Sequence, residues 1–165
     1  MRIYNTVPEF TLTGESGADV RSADALAGKV WVANFIYTTC PGPCPRTTRQ
    51  MALLQTKFEQ RADVRLVSFT VDPENDTPST LAAYAQRYGA KPGRWMFFTG
   101  SKQLLDKLSR EVFLLHSVDG KGSDHSTRFV LVDRKGQIRK YYDSVEASSM
   151  DELASDAATL LAETS

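Results

Sequence analysis

The stretch KVWVANFIYTTCPGPCPRTTRQMALL, residues 29–54, decides how the rest of the chain is read. Lys29 to Tyr37 is a mostly apolar run rich in β-branched and aromatic residues, which suits a strand covered on both faces. From Pro45 to Gln60 the apolar residues Met51, Leu54 and Phe58 recur at helical spacing. Pro45 stands at the opening of that helix, where its missing N–H costs nothing. A buried strand therefore runs through a short proline-stiffened loop into a helix that begins just after Cys44.

Working outward, Val64 to Val71 is a second buried strand, and it ends in the polar loop Asp72 to Asp76. Thr77 reads as an N-cap with Pro78 in the first helical position. Leu81, Tyr84, Ala85 and Tyr88 follow at spacings of three and four, and Gly89 is the stop. Trp95 to Phe98 is a short strand, and Ser101 to Arg110 a helix capped by Ser101. Arg128 to Val132 and Gln137 to Tyr142 form a hairpin turned at residues 133–136. Met150 to Leu161 is the closing helix. Upstream, Phe10 to Leu12 and Asp19-Val20 make a small N-terminal hairpin around Gly14 to Gly17, and Ser22 caps a brief helix ending before Gly28. Strands alternate with helices without a linker or repeat, so one α/β domain spanning residues 1–165 is expected.

Composition narrows the function classes. Twenty basic residues against twenty acidic ones leave a formal net charge of zero. No global field is present to hold a phosphate backbone, so nucleic acid is excluded as a partner class. No apolar run is long enough to span a bilayer, and the first residues lack the basic-then-apolar pattern of an export signal. The chain has 2 cysteines, Cys40 and Cys44. A bond between them would close too small a loop to staple a scaffold.

Those cysteines are better placed for chemistry. Both lie at the N-terminal end of a helix, where free N–H groups and the positive end of the macrodipole favour the thiolate. The surrounding prolines limit the entropy lost when the loop engages a ligand. Two thiolates are an incomplete site for most metals. The third group comes from His116 or His125, the 2 histidines of the chain. His116 follows the apolar run Val112 to Leu115, whereas His125 ends a Gly-rich polar stretch just before a strand, which leaves its imidazole the freer of the two. Structural zinc nearly always takes four ligands. Two thiolates and an imidazole suit copper, which as Cu(I) accepts three. Asp72, Asp76 and Asp124 are candidates for an additional oxygen ligand or for a partner of the imidazole N–H, each with a plain alternative as turn former or cap.

At this point the sequence resembles the Sco/SenC family of thioredoxin-fold copper proteins. The resemblance is carried by FIYTTCPGPCP, SFTVDPENDTP, LAAYAQRYGA, WMFFTG, DHSTRFVLVD and GQIRKYYD, in that order. It implies a thioredoxin-like fold with an N-terminal hairpin and a loop or hairpin insertion carrying His125. It further implies one copper ion, as Cu(I) or Cu(II), held by Cys40, Cys44 and His125, and it selects His125 over His116. The expected role is copper delivery to the binuclear centre of cytochrome c oxidase, with oxidase subunit II or another copper chaperone as partner. The expected form is a monomer on the periplasmic or other extracytoplasmic face of a membrane, ahead of the mitochondrial intermembrane space. Its membrane tether would lie outside this chain.

The same motif leaves an alternative, a thiol-disulfide oxidoreductase or redox sensor cycling Cys40 and Cys44 between dithiol and disulfide. Against a thioredoxin-type catalyst stands the extra residue in CPGPC, which has three between its cysteines where the usual redox motif has two. A peroxidase reading rests on shared fold alone.

Overall fold

The structure is a computed structural model that describes residues 2–39, 44–115, 128–144, 146 and 148–163, with Cys44 described by its backbone only. The elements in chain order begin with β1 (Asn5–Thr6), β2 (Thr11–Gly14), β3 (Asp19–Arg21) and α1 (Ser22–Ala25). There follow β4 (Val30–Ile36), α2 (Cys44–Lys57), β5 (Val64–Thr70), α3 (Pro78–Arg87), β6 (Trp95–Thr99) and α4 (Lys102–Lys107). The last are β7 (Arg128–Val132), β8 (Gln137–Asp143) and α5 (Ser149–Ala162). The strands form one sheet in the order β1-β8-β7-β4-β5-β6-β2-β3.

The centre of the sheet is parallel, with Ile36 beside Thr70 in the β4–β5 pair and Phe69 beside Phe98 in the β5–β6 pair. β7 runs antiparallel to β4. β4 is buried along its whole length because both faces of the sheet are covered. Val30, Val32 and Ile36 pack with Met51 and Leu54 of α2, Leu81 and Tyr84 of α3, and Leu153 and Leu160 of α5. Trp31, Ala33 and Phe35 point to the other face, against Phe10, Leu105, Leu108 and Phe113. Two-sided cover of this kind is why the strand reads as a continuous apolar run.

One polar group interrupts it. Asn34 is buried on the first face and its Oδ1 accepts from Ser68 Oγ at 2.6 Å, while Trp95 Nε1 donates to the same Ser68 oxygen at 3.0 Å. The chain of bonds ties β4, β5 and β6 together across the sheet.

Several local expectations are corrected. α2 starts one residue earlier than expected, at Cys44, with Pro45 already inside its first turn. Ser22 does not cap α1: the cap position is Arg21, and the Ser22 hydroxyl instead accepts from Phe10 N at 2.8 Å, fastening the β2–β3 hairpin. The helix expected to reach Arg110 is α-helical only to Lys107 and then widens into a π turn over Leu108–Val112. There the Phe113 N–H donates to Leu108 O at 2.8 Å, and the wider turn keeps Leu108, Val112 and Phe113 all in the core. β1 was not expected from the sequence. It is two residues long and exists because β8 offers a free edge. The insertion expected to carry His125 lies outside the described residues. Among the described residues no helix is long and apolar enough to cross a membrane.

Candidate functional site

Three connections meet at the carboxyl end of β4. The loop containing the cysteines leaves β4 there, and α2 carries the chain away from it. The loop Asp72 to Asp76 leaves the adjacent end of β5, because Ile36 and Thr70 are register partners. β7 starts at the same edge: it runs antiparallel to β4 with Ala33 opposite Val130, and continuing that register sets Arg128 level with Phe35. In open α/β sheets ligands bind outside the carboxyl ends of the strands, which is where these connections lie.

The first residues of the cysteine loop are held by a buried carboxylate. Asp76 has no exposed surface. Its Oδ2 accepts from Thr38 N at 3.0 Å and from Thr70 Oγ1 at 2.6 Å, and its Oδ1 accepts from Thr38 Oγ1. These charge-assisted bonds fix Thr38, two residues before Cys40, against the end of β5. With both oxygens engaged inside the protein, Asp76 braces the loop and does not offer the free oxygen ligand that its sequence position allowed. Asp72 is a turn former: its Oδ2 accepts from Asn75 Nδ2 at 2.8 Å and its carbonyl from Asp76 N at 2.9 Å.

The start of α2 is electropositive. Its first turn has no acidic residue, and Arg46 and Arg49 follow Cys44 closely. Together with the positive end of the helix dipole, this setting lowers the cost of negative charge on sulfur. Behind it, Thr48 Oγ1 and Tyr84 OH lie 2.9 Å apart and link α2 to α3.

Of the expected site residues, Cys40, His125, the alternative His116 and Asp124 lie outside the described residues, as does the Cys44 side chain. Among the described residues no group of three or more His, Cys, Asp or Glu side chains comes together as a metal site. The backbone of Cys44 opens α2, and Asp72 and Asp76 stand at the edge from which the cysteine loop leaves. Thr38 and Thr70 were not singled out from sequence. The signal available was the pairing of a Thr near each strand end with an Asp in the following loop, which has meaning only once β4 and β5 are known to be parallel neighbours.

Comparison with known proteins agrees with this architecture. Residues 3–162 match the SCO1/SenC family. A SCO1 protein homolog of Bacillus subtilis is 37% identical over 155 residues, covering 91% of this chain and 80% of the relative. A SCO1/SenC family lipoprotein from Bacillus anthracis superposes with a TM-score of 0.84 at 33% identity, covering 94% of this chain and 95% of that one. BsSco, a member of the Sco family of cytochrome c oxidase assembly proteins in which a disulfide switch was identified, gives a TM-score of 0.84 at 33% identity over 99% and 98% of the two chains. Copper-bound ScoI of Bradyrhizobium japonicum gives 0.73 at 25% identity over 93% and 98%. The architecture is thus the thioredoxin-like α/β fold that the motifs implied.

Proposed function

The chain belongs to the SCO1/SenC family, and on that premise we propose that Cys40, Cys44 and His125 hold one copper ion, which the protein delivers as a monomer to the copper centre of cytochrome c oxidase. The observation that carries this reading is the common sheet edge. Cys40 is four residues past the end of β4, Cys44 opens α2, and His125 precedes the start of β7 by three residues. Three residues of chain reach at most about 10 Å, so all three side chains can serve one site at that edge. The donor set of two thiolates and one imidazole matches the preference of copper and falls short of the four ligands of structural zinc. Copper-bound ScoI supports the metal, BsSco supports the oxidase as destination, and the lipoprotein relative supports an extracytoplasmic station at a membrane surface; oxidase subunit II is the receiving partner in this proposal.

Within this reading Asp76 holds the approach to Cys40, and the α2 terminus keeps the sulfurs as thiolates ready to bind a soft cation. The His125 imidazole is the natural ligand to leave first, since its release costs one neutral donor while the two thiolates keep the ion. A receiving thiolate can then take the open position.

Metal analysis of the reduced protein with copper and zinc in competition tests the assignment. One copper per chain is expected in the parent protein and in His116→Ala, with loss of tight binding in Cys40→Ala, Cys44→Ala and His125→Ala. Equal copper retention by all four variants would refute the ligand set.

A second reading, thiol-disulfide exchange, is favoured by the cationic helix start at Cys44. In that reaction Cys40 and Cys44 lose two electrons and two protons to a substrate disulfide, which becomes a dithiol as the protein disulfide forms. A reduction potential in glutathione buffer and turnover on a peptide disulfide measure it directly.

A further inference from the structure

Charge on this chain is segregated although its total is zero. The two helices that flank the cysteine loop, α2 and α3, carry Arg46, Arg49, Lys57 and Arg87 and no carboxylate. α5, packed beside α2, carries Asp151, Glu152 and Asp156 and no cation. Lys57 is neutralised by Asp151 at 3.2 Å, whereas Arg87 is exposed and has no ion pair among the described residues.

Beside the cysteine loop lies a groove of about 360 Å³ lined by Thr38, Ser79, Thr80, Ala83, Tyr84 and Arg87. The five α3 residues fall on one face of the helix. The floor is Tyr84, buried and tied to Thr48, and one end is Thr38, the residue that Asp76 holds. The other end is Arg87. Among the described residues no acidic side chain lines the groove, and the Ser79 and Thr80 hydroxyls turn inward to Thr77 Oγ1, at 3.2 and 3.0 Å. The result is a polar channel that begins two residues from Cys40, is positive at its far end, and runs the length of α3.

We propose that this groove docks an acidic polypeptide segment of the copper-receiving protein, with Arg87 as the cation that its carboxylate meets. The inference rests on the copper-delivery reading and adds to it the surface and charge of the partner. Ligand exchange requires the partner's thiolates to approach Cys40 and Cys44 within bonding distance, so part of its chain must lie over the adjoining surface. Among the described segments at that edge, α2 and α3 carry cations and no carboxylate while the Asp72–Asp76 loop between β5 and α3 is acidic, so the positive rim is that of the helices; complementary charge at such a rim raises the association rate and selects against partners of the same sign.

The test uses two reduced synthetic peptides, each with two cysteines three residues apart, whose flanking segment carries either three Glu or three Gln. Copper transfer from the Cu(I)-loaded protein is followed at low and high ionic strength. The parent protein is expected to load the Glu peptide about tenfold faster than the Gln peptide at low salt, with the difference shrinking as salt rises. Arg87→Glu is expected to abolish that preference with copper content and the Gln-peptide rate unchanged, and Arg87→Lys to keep most of it. An equal loss in Arg49→Glu, which lies outside the groove, would overturn the assignment to α3, as would a preference that survives Arg87→Glu. A second measurement does not depend on copper: amide shifts of Ser79, Thr80, Ala83 and Arg87 in the metal-free reduced protein should move with the Glu peptide and stay with the Gln peptide. If the parent protein holds no copper yet these shifts appear, the delivery reading fails and the docking surface stands. If copper is held and the shifts are absent, the docking surface fails alone.

Discussion

Asp76 and Thr38 are joined twice, through the Thr38 amide and through its hydroxyl, across 38 residues of sequence. The carboxylate is fully buried and has Thr70 Oγ1 as its third donor. A charge placed there is tolerable only because all three donors point at it. The consequence is that the entrance to the cysteine loop is fixed by a residue from the next crossover. Asp76→Asn must turn an NH₂ group toward at least one of those donors, leaving a buried polar group unmatched. A loss of about 1–3 kcal/mol in unfolding free energy is expected. It should be accompanied by weaker copper binding and a shifted Cu(II)–thiolate absorption, which a purely global destabilisation would not produce in the folded fraction. Denaturant titration with absorption spectroscopy checks both, and an unaltered band would reduce Asp76 to a fold determinant.

The Asn34–Ser68–Trp95 chain makes a second, purely structural prediction. Ser68→Ala removes the one oxygen that serves both Asn34 and Trp95, so two buried groups lose a partner together. Asn34 Nδ2 already has no partner among the described residues. The expected cost is about 2–4 kcal/mol, well above that of a surface Ser→Ala change. A midpoint shift no larger than that of Ser79→Ala would show that the network contributes little.

Phe69 sits at the centre of an aromatic cluster on the opposite face. Its ring is 4.9 Å from Phe35, 5.6 Å from Phe113, 5.7 Å from Phe10 and 5.9 Å from Phe98. Phe69→Ala opens a cavity that four rings from separate elements cannot jointly refill. Destabilisation of about 3–5 kcal/mol is predicted by thermal or chemical unfolding. Phe69→Leu should cost less than half of that.

Acid stability depends in part on Asp63. Burial works to raise its pKa, but the bond from Arg134, its own backbone bond and Arg61 together outweigh burial and hold the carboxyl below its ordinary value. A depressed carboxyl stabilises the fold above its unfolded value, and that contribution is lost as pH falls through the folded value, below about pH 4. The Asp63–Arg134 pair is 2.8 Å long, and Arg134 also donates to Gly28 O and Leu161 O, so it joins the start of β5 to the β7–β8 turn and the end of α5. An NMR titration of Asp63 should show a midpoint below the usual range in the parent protein and a higher one in Arg134→Met. Coincident midpoints would contradict the pairing.

Much of this was legible in the sequence because the signals are local. The mostly apolar run at Lys29 to Tyr37 marks β4, the Thr77-Pro78 start and Gly89 stop mark α3, and both hairpins are marked by their turn residues. Where the reading erred, the deciding contact was remote. Ser22 bonds Phe10 and not its own helix, the π turn after Lys107 answers to the core beneath it, and β1 needs the edge of β8.

The sequence by itself determined the chemistry available: two cysteines four positions apart at a helix start, two histidines of which one precedes a strand, and an ordered set of motifs that identify the family. Side-chain identity and local spacing are written in the chain, so thiolate and imidazole donors could be named without coordinates. Only the tertiary structure decided what Asp76 does, which connections share the edge of β4, and that α2 and α3 border the cysteine loop with cations alone. Those facts depend on strand order and register, which bring together residues tens of positions apart through burial and hydrogen bonding that no short window of sequence contains.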